Sequence, residues 1–260
     1  SPTNGDMQQT HIYASRCSVV WIPSTSQCQQ QYYYMKQSDS ATDRFGLIGF
    51  PIGHSLSPRL FKAAYSGKYQ YDLIQTDDFA TAWEYFKSGY KAINITAPFK
   101  ANAFQSADII SDEVRRCEAS NLCIKTNEGI IAYNSDFRGV KAILSECSRG
   151  SVAVIGYGGA GKAALAAARD LELESRLYRH DEIADGVSAD IIIYTLPRKT
   201  EGIDRLECDI LLEANYKNPC LDWHSGYISG KRWLLMQAVT GYELMTGETP
   251  DSKAMEAVLL

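Results

Sequence analysis

Short apolar runs alternate along this chain with segments of helical periodicity. Residues 45–50 predict a buried strand, ended by Pro51 and Gly53. Ser57-Pro58 then opens a helix, because serine is a favoured cap and proline is preformed for the first helical turn. Residues 69–76 predict a second strand, 81–88 a helix and 91–96 a third strand. Pro98 cannot continue a strand interior, so 96–100 should turn out of the sheet. Residues 107–117 predict a helix, 122–125 and 130–133 a hairpin around Asn127-Glu128-Gly129, and 137–147 a helix after Asp136.

A second unit begins near Gly150. Val152-Ala153-Val154-Ile155 is continuously apolar, as a strand covered on both faces requires. An alanine-rich helix follows over 162–170, then strands over 176–179, 190–195 and 209–214. The stretch between 179 and 190 leaves room for one helical turn or two. Residues 233–245 and 252–260 predict two closing helices. The alternation points to an α/β fold with largely parallel sheets.

The first 44 residues differ from the rest, being rich in Gln, Ser, Thr and Tyr, and are expected to be loosely ordered. Met35, just ahead of the first patterned strand, is a candidate start, with the earlier residues an extension. The apolar stretch 17–23 is short and lacks the basic flank and cleavage pattern of a secretory signal.

Composition narrows the function. A net charge of −5 argues against nucleic acid or an anionic membrane as the main partner. Seven cysteines form no C-x-x-C pair and no zinc-like spacing, which suits reduced thiols in the cytoplasm and predicts no metal. No apolar run reaches the roughly 18 residues that span a bilayer.

The glycine turn carries the first chemistry. Gly156, Gly158 and Gly161 keep G-x-G-x-x-G spacing after a strand and before a helix, with Gly159 and Ala160 between them. The first glycine permits the tight turn, the second lets backbone amides approach a pyrophosphate, and the third packs helix on strand. At the end of the next strand stands Arg179 and no acid, which favours the 2′-phosphate of NADP over the bare ribose of NAD, although Asp181 follows closely.

A set of polar residues upstream carries the second. Ser55 and Ser57 lie two apart in Phe50-Pro51-Ile52-Gly53-His54-Ser55-Leu56-Ser57-Pro58; Asn94, Thr96 and Lys100 share Asn94-Ile95-Thr96-Ala97-Pro98-Phe99-Lys100; Asn121 stands alone, and Asp136 closes Asn134-Ser135-Asp136. Singly, each reads as a turn residue, cap, surface charge or satisfied amide. Together they suit a small polyol acid.

In this order, these motifs and the glycine turn resemble the shikimate dehydrogenase family over nearly everything from Phe45 onward. The signature G-x-P-x-x-H-S-x-S-P is matched at Gly49, Pro51, His54, Ser55, Ser57 and Pro58, and N-[VI]-T-x-P-[FLH]-K at Asn94 to Lys100. N-T-D becomes Asn134-Ser135-Asp136. The resemblance implies that Ser55 and Ser57 bind the substrate carboxylate, and that Asn94, Thr96, Asn121, Tyr216 and Gln237 are further substrate ligands. It implies Lys100 and Asp136 as the catalytic pair. Gly156, Gly158, Gly159, Ala160, Gly161, Arg179, Thr195 and Trp233 would serve the cofactor, NADP.

The implied fold is two-lobed. A substrate-binding and catalytic domain would comprise 45–141 plus 232–260, and a compact Rossmann-like NADP-binding domain 142–231, with the C-terminal helices returning to the first. The implied activity is interconversion of 3-dehydroshikimate and shikimate on the route to chorismate and aromatic amino acids, by a cytoplasmic monomer or homodimer. Two alternatives are a quinate/shikimate dehydrogenase using NAD and a non-catalytic sensing relative. Departures fall on the cofactor side. The usual N-A-T-P-x-G reads Ile193-Tyr194-Thr195-Leu196-Pro197-Arg198, Trp233 stands where a methionine often borders the nicotinamide, and 180–190 and 198–208 are short.

Overall fold

The structure, a computed structural model, describes residues 19–21, 43–147 and 150–260. Two sheets of different composition organise the chain. The first holds seven strands: β1 (Val19–Trp21), β2 (Arg44–Gly49), β3 (Gln70–Gln75), β4 (Ala92–Ile95), β5 (Ile109–Ile110), β6 (Leu122–Thr126) and β7 (Gly129–Tyr133), ordered β1-β3-β2-β4-β6-β7-β5. The pairs from β1 through β4 are parallel; β6 is antiparallel to both β4 and β7. The second is wholly parallel: β8 (Val152–Ile155), β9 (Ser175–Tyr178), β11 (Ile191–Tyr194), β13 (Ile210–Glu213) and β14 (Tyr227–Ser229), ordered β14-β13-β11-β8-β9.

Strands of the first sheet are buried on both faces. Phe45, Leu47 and Tyr71 join a core with α1 (Ser57–Ala64), α7 (Gly230–Thr246) and α8 (Ser252–Leu259) through Phe61, Tyr242 and Met255. Ile48, Ile74, Ile93 and Ile95 face the other way, onto α2 (Phe79–Gly89) through Trp83 and Phe86. In the second sheet, Val152 and Val154 pack on the alanines of α6 (Gly159–Asp170) and on α5 (Ser135–Glu146). Ala153 and Ile155 face the opposite layer. The unbroken apolar run of β8 is explained by this two-sided cover.

Three local expectations change. The helix expected over 107–117 is shortened: a helix not expected there, α3 (Lys100–Ser106), ends before it, β5 joins β7, and only α4 (Asp112–Cys117) is helical. Asp108 explains the break, because its backbone and side chain both pair with Ile130, at 2.9 and 2.8 Å. Between 179 and 190 there is no helix; β10 (Val187–Ser188) pairs with β12 (Leu206–Glu207) and covers the sheet with Ile183, Val187 and Leu206. Of the first 44 residues most lie outside the described ones, but Val19–Trp21 adds a parallel edge strand beside Leu73–Gln75.

Helix α5 runs unbroken through residues 141 and 142 to Glu146. α7 lies against α5 so closely that a Cβ on Gly139 would come within 2.7 Å of the Gln237 backbone nitrogen. Leu235, Ala238 and Tyr242 of α7 enter the first core, while Trp233 enters the second.

Candidate active site

In each sheet the winding of successive parallel strands reverses at a neighbouring pair, and ligands of open α/β sheets gather at such a reversal, outside the carboxyl ends of the strands. In the first sheet the reversal lies between β2 and β4, whose loops leave the same edge. The Thr96 N–H bonds the Ile48 carbonyl at 2.9 Å and the Phe50 N–H bonds the Ala97 carbonyl at 3.1 Å. Gly49 allows this approach: a Cβ there would lie 2.4 Å from the Thr96 methyl.

Ser57 is not the cap of α1. Leu56 occupies the cap position without a side-chain bond, and Ser57 is the first helical residue. The Ser55 hydroxyl accepts the Ser57 N–H at 3.2 Å, and both serines line a cavity of about 500 Å³. Accepting that bond leaves the Ser55 proton to donate, and Ser57 lies beside Tyr242, whose hydroxyl donates to the Ser57 carbonyl at 3.2 Å. Two hydroxyl donors two residues apart suit a carboxylate.

Lys100, first residue of α3, reaches across the cavity to Asp136, second residue of α5, at 2.6 Å. The expected cap role of Asp136 belongs to Asn134, whose side chain accepts the Phe137 N–H at 3.0 Å. Freed from capping, the Asp136 carboxylate faces Lys100. Its backbone carbonyl is held by the Trp233 indole N–H at 2.9 Å. Behind the pair, burial foremost and then the Asp136 charge push the Cys117 thiol up to about 12, so it stays protonated and inert.

Three amides complete the wall. Asn94 donates to the Asn121 carbonyl at 3.4 Å, which turns its own side-chain oxygen to the Tyr71 hydroxyl at 2.8 Å. Asn121 accepts the Ser135 N–H at 2.7 Å and donates to the Ser135 hydroxyl at 3.0 Å. Gln237 donates to the Leu234 carbonyl at 3.1 Å and accepts from the Ser135 hydroxyl at 3.0 Å. Each amide oxygen is thus engaged by the protein, and each NH₂ keeps one proton for the cavity.

The second sheet reverses between β8 and β11, and the glycine turn sits on that reversal. Gly156 has φ +114°, and a Cβ on Gly161 would lie 1.8 Å from the Gly156 carbonyl oxygen, so the third glycine is a close-packing residue. Nothing lies within 4 Å of a Cβ on Gly158, and α6 starts without a side-chain cap. Open space before an uncapped helix N-terminus fits a pyrophosphate. Arg179 follows β9 and, with Lys162, flanks the exposed Tyr157 ring at 5.8 and 5.5 Å. The fit to a phosphate-bearing dinucleotide is good.

One cavity gathers Ser55, Ser57, Asn94, Thr96, Asn121, Tyr216 and Gln237 with Lys100 and Asp136; Ala160 and Trp233 reach it from the cofactor side. Gly159 touches it through Lys100, whose Cδ would be 3.9 Å from a Cβ there. Gly156, Gly158, Gly161, Arg179 and Thr195 lie outside its lining. The Thr195 hydroxyl donates to the Ile155 carbonyl at 2.9 Å and abuts Gly156 and Gly161, where it braces the turn. Sequence reasoning missed Lys217 and Tyr242, both in the lining. Lys217 adjoins Tyr216, a signal available in the sequence; Tyr242 falls inside the helix expected over 233–245 with nothing to mark it as a site residue.

Comparison with known proteins places these features. Residues 47–123 match the family model described as the shikimate dehydrogenase substrate binding domain. The chain is 26% identical over 266 residues to the shikimate dehydrogenase (NADP(+)) of Bacillus licheniformis, covering 83% of this chain and 96% of that one. It is 27% identical over 272 residues to the enzyme of the same name from Methanococcus maripaludis, covering 85% and 98%. Among solved structures, an Ael1 enzyme from Pseudomonas putida superposes with TM-score 0.69 at 26% identity, over 84% of this chain and 98% of that one. The fold is also that of Thermus thermophilus shikimate 5-dehydrogenase in complex with NADP(H) and shikimate, with TM-score 0.74 at 20% identity and the same coverage.

Proposed function

Because this chain belongs to the shikimate dehydrogenase family, we propose that it interconverts 3-dehydroshikimate and shikimate with NADP. The observation that carries the reading is the Lys100–Asp136 pair, 2.6 Å apart on the wall where two serines, three amides and Thr96 converge. An anionic ring bearing oxygen acceptors matches that wall of donors.

Ser55 and Ser57 anchor the substrate carboxylate, which sets one end of the ring. Asn94, Asn121 and Gln237 donate to ring oxygens, and Lys100 meets the oxygen that changes between ketone and alcohol. In the reducing direction Lys100 gives that oxygen a proton through Nζ and hydrogen-bonds the developing alkoxide. In the oxidising direction it takes the proton back. Asp136 holds the ammonium in place and accepts from a neighbouring ring hydroxyl. When bound, the reduced cofactor would supply the hydride for ketone reduction, and its oxidised form would accept it in reverse. The amides around Gly158, Gly159 and Ala160 would hold its pyrophosphate, and Arg179 its 2′-phosphate.

The place of action is the cytoplasm, on aromatic amino acid biosynthesis, as monomer or homodimer. Free thiols at Cys117, Cys123, Cys147, Cys208 and Cys220 support a reducing compartment. Among the described residues no helix is long and apolar enough to cross a membrane. The test is an initial-rate assay with shikimate and quinate, each against NADP and NAD. Shikimate with NADP should be far the fastest; comparable quinate turnover with NAD would reassign the substrate, and no turnover with any pair would leave a binding protein.

A further inference from the structure

Ser135 is fully buried and does not line the cavity, yet it touches two residues that do. Its polar contacts are directional. The Ser135 backbone N–H can only donate, so the atom of Asn121 at 2.7 Å must be the oxygen. That places the Asn121 NH₂ at 3.0 Å from the Ser135 hydroxyl oxygen, which therefore accepts. On the other side, the Leu234 carbonyl can only accept, so the Gln237 atom at 3.1 Å is its nitrogen, and the Gln237 oxygen faces Ser135 at 3.0 Å. The Ser135 hydroxyl also lies 3.3 Å from the Asn121 oxygen, but that oxygen already accepts the Ser135 N–H, so the one hydroxyl proton goes to the nearer Gln237 oxygen.

We propose that Ser135 is a positioning residue that sets the polarity of Asn121 and Gln237, so that both present N–H to the substrate and neither presents its carbonyl. The proposal rests on the function given above and deepens it by specifying what the site accepts. Asn121 and Gln237 select ring oxygens that act as hydrogen-bond acceptors. Without the hydroxyl, Asn121 loses an acceptor and Gln237 a donor, so each amide keeps one of its two protein anchors, the residue-135 N–H for Asn121 and the Leu234 carbonyl for Gln237, and turns its oxygen to the cavity more readily. A carbonyl facing a ring oxygen that is already donating elsewhere repels it.

The site is built tightly enough for this to matter. Gly241 of α7 passes over Ser135, and a Cβ at Gly241 would stand 3.2 Å from that of Ser135. The Ser135–Gln237 bond joins α5 to α7 across 102 residues of sequence.

The test compares wild type, Ser135→Ala and Ser135→Thr for shikimate, and for shikimate lacking one ring hydroxyl at a time. Ser135→Ala should lower kcat/KM for shikimate about 10-fold or more, carried mainly by KM, the scale expected when buried hydrogen-bonding groups lose a partner. KM for NADP should stay within about twofold of wild type, because the glycine turn does not touch Ser135, and Ser135→Thr should recover most of the loss. One deoxy analogue should be penalised in wild type and not further penalised by Ser135→Ala. A merely structural role would lower all substrates alike, and that result would overturn the proposal, as would an unchanged shikimate KM.

A second measurement needs no substrate. Hydrogen exchange of the Asn121 and Gln237 side-chain NH₂ groups, read by ¹⁵N-edited NMR, should be markedly faster in Ser135→Ala than in wild type. Equal exchange would overturn the polarity argument even if shikimate is turned over. Faster exchange in Ser135→Ala, when the wild type ignores shikimate, would sink the proposed substrate and keep the role of Ser135. If Ser135→Ala does not fold, Gln237→Met removes the same link from the other side. Its Asn121 NH₂ exchange should rise and its shikimate affinity fall; unchanged exchange would overturn the polarity argument there too.

Discussion

Replacing Lys100 by alanine separates the catalytic reading from a structural one. The Lys100–Asp136 pair is short, 2.6 Å, but the two side chains keep 27% and 21% of their surface in solvent. An ion pair reached by water to that degree contributes about 0–1 kcal/mol to folding. For a chain of this size that corresponds to a shift of about 2–4 °C in Tm at most. A positioned acid–base group contributes about 10²–10⁴ in rate, or roughly 2.7–5.4 kcal/mol at 1.36 kcal/mol per tenfold. Lys100→Ala should therefore cut kcat by two to four orders of magnitude while Tm moves by only a few degrees. KM for shikimate should change less, because the serines and amides remain. Asp136→Asn keeps an acceptor for Nζ but loses the charge, and should fall between the two. The double variant should be about as slow as Lys100→Ala alone, since residues acting as a unit are not additive. Initial rates followed by absorbance of the reduced cofactor, with thermal melts alongside, decide the matter. Near-normal turnover by Lys100→Ala, or a rate loss matched by collapse of Tm, would refute the reasoning.

Three further outcomes are expected. Arg179→Ala should weaken NADP binding by about 1–3 kcal/mol and leave NAD nearly unchanged; equal loss for both, measured by fluorescence titration, would assign Arg179 to the fold. Lys217 lines the cavity, is exposed and forms no ion pair among the described residues, whereas Lys100 is neutralised by Asp136. Lys217→Met should lower kcat/KM for an anionic substrate and flatten its dependence on salt, and an unchanged salt slope would count against it. Acid should unfold the protein below about pH 4. Asp170 is held below the ordinary carboxylate range by Lys141 and then Arg116, Asp190 by the Ser151 backbone, and Glu248 by Lys68. A depressed folded value gives stability that is present above the unfolded pKa and is lost as pH falls through the folded one. Urea midpoints from pH 7 to 3 should drop steeply at the acid end, and less steeply for Asp170→Asn.

What the sequence showed and what it hid divide by range of interaction. The run Val152–Ile155 and its glycine turn were legible because strand, tight turn and helix start are local facts, and Gly161 against the Gly156 carbonyl is a contact across five residues. The break at 107–111 was not legible, because Ile109-Ile110 fits a helix or a strand equally and Asp108 decides through Ile130, 22 residues away. Ser57 looked like a cap because serine before proline usually is one; the helix instead begins one residue earlier, where the Leu60 N–H bonds the Leu56 carbonyl at 3.0 Å and makes Leu56 the cap residue. Ser135 carries no sign of its own. Its importance comes from Gln237, and nothing short of the fold brings the two together.

The departures from the family pattern gather where the architecture tolerates them. The stretches 180–190 and 198–208 are too short for the helices of a doubly wound lobe, yet the face they should cover is not bare. Ile183, Val187 and Leu206 of the β10–β12 region pack there with Ile155, Ile192 and Leu211. A small parallel pair therefore replaces helical cover on one face, while α6 keeps the other. The reversal between β8 and β11, on which a dinucleotide site depends, is unaffected. The side that meets the substrate is secured from elsewhere, by α7: Trp233 holds the backbone beside Asp136, and Gln237 reaches Ser135 four residues later. A compact cofactor lobe and an intact substrate wall are thus compatible, because the helix that orders the wall packs on α5 and into the first core and the α5 side of the second, whereas Ile183, Val187 and Leu206 of the shortened segments belong to the cluster on the other face of the second sheet.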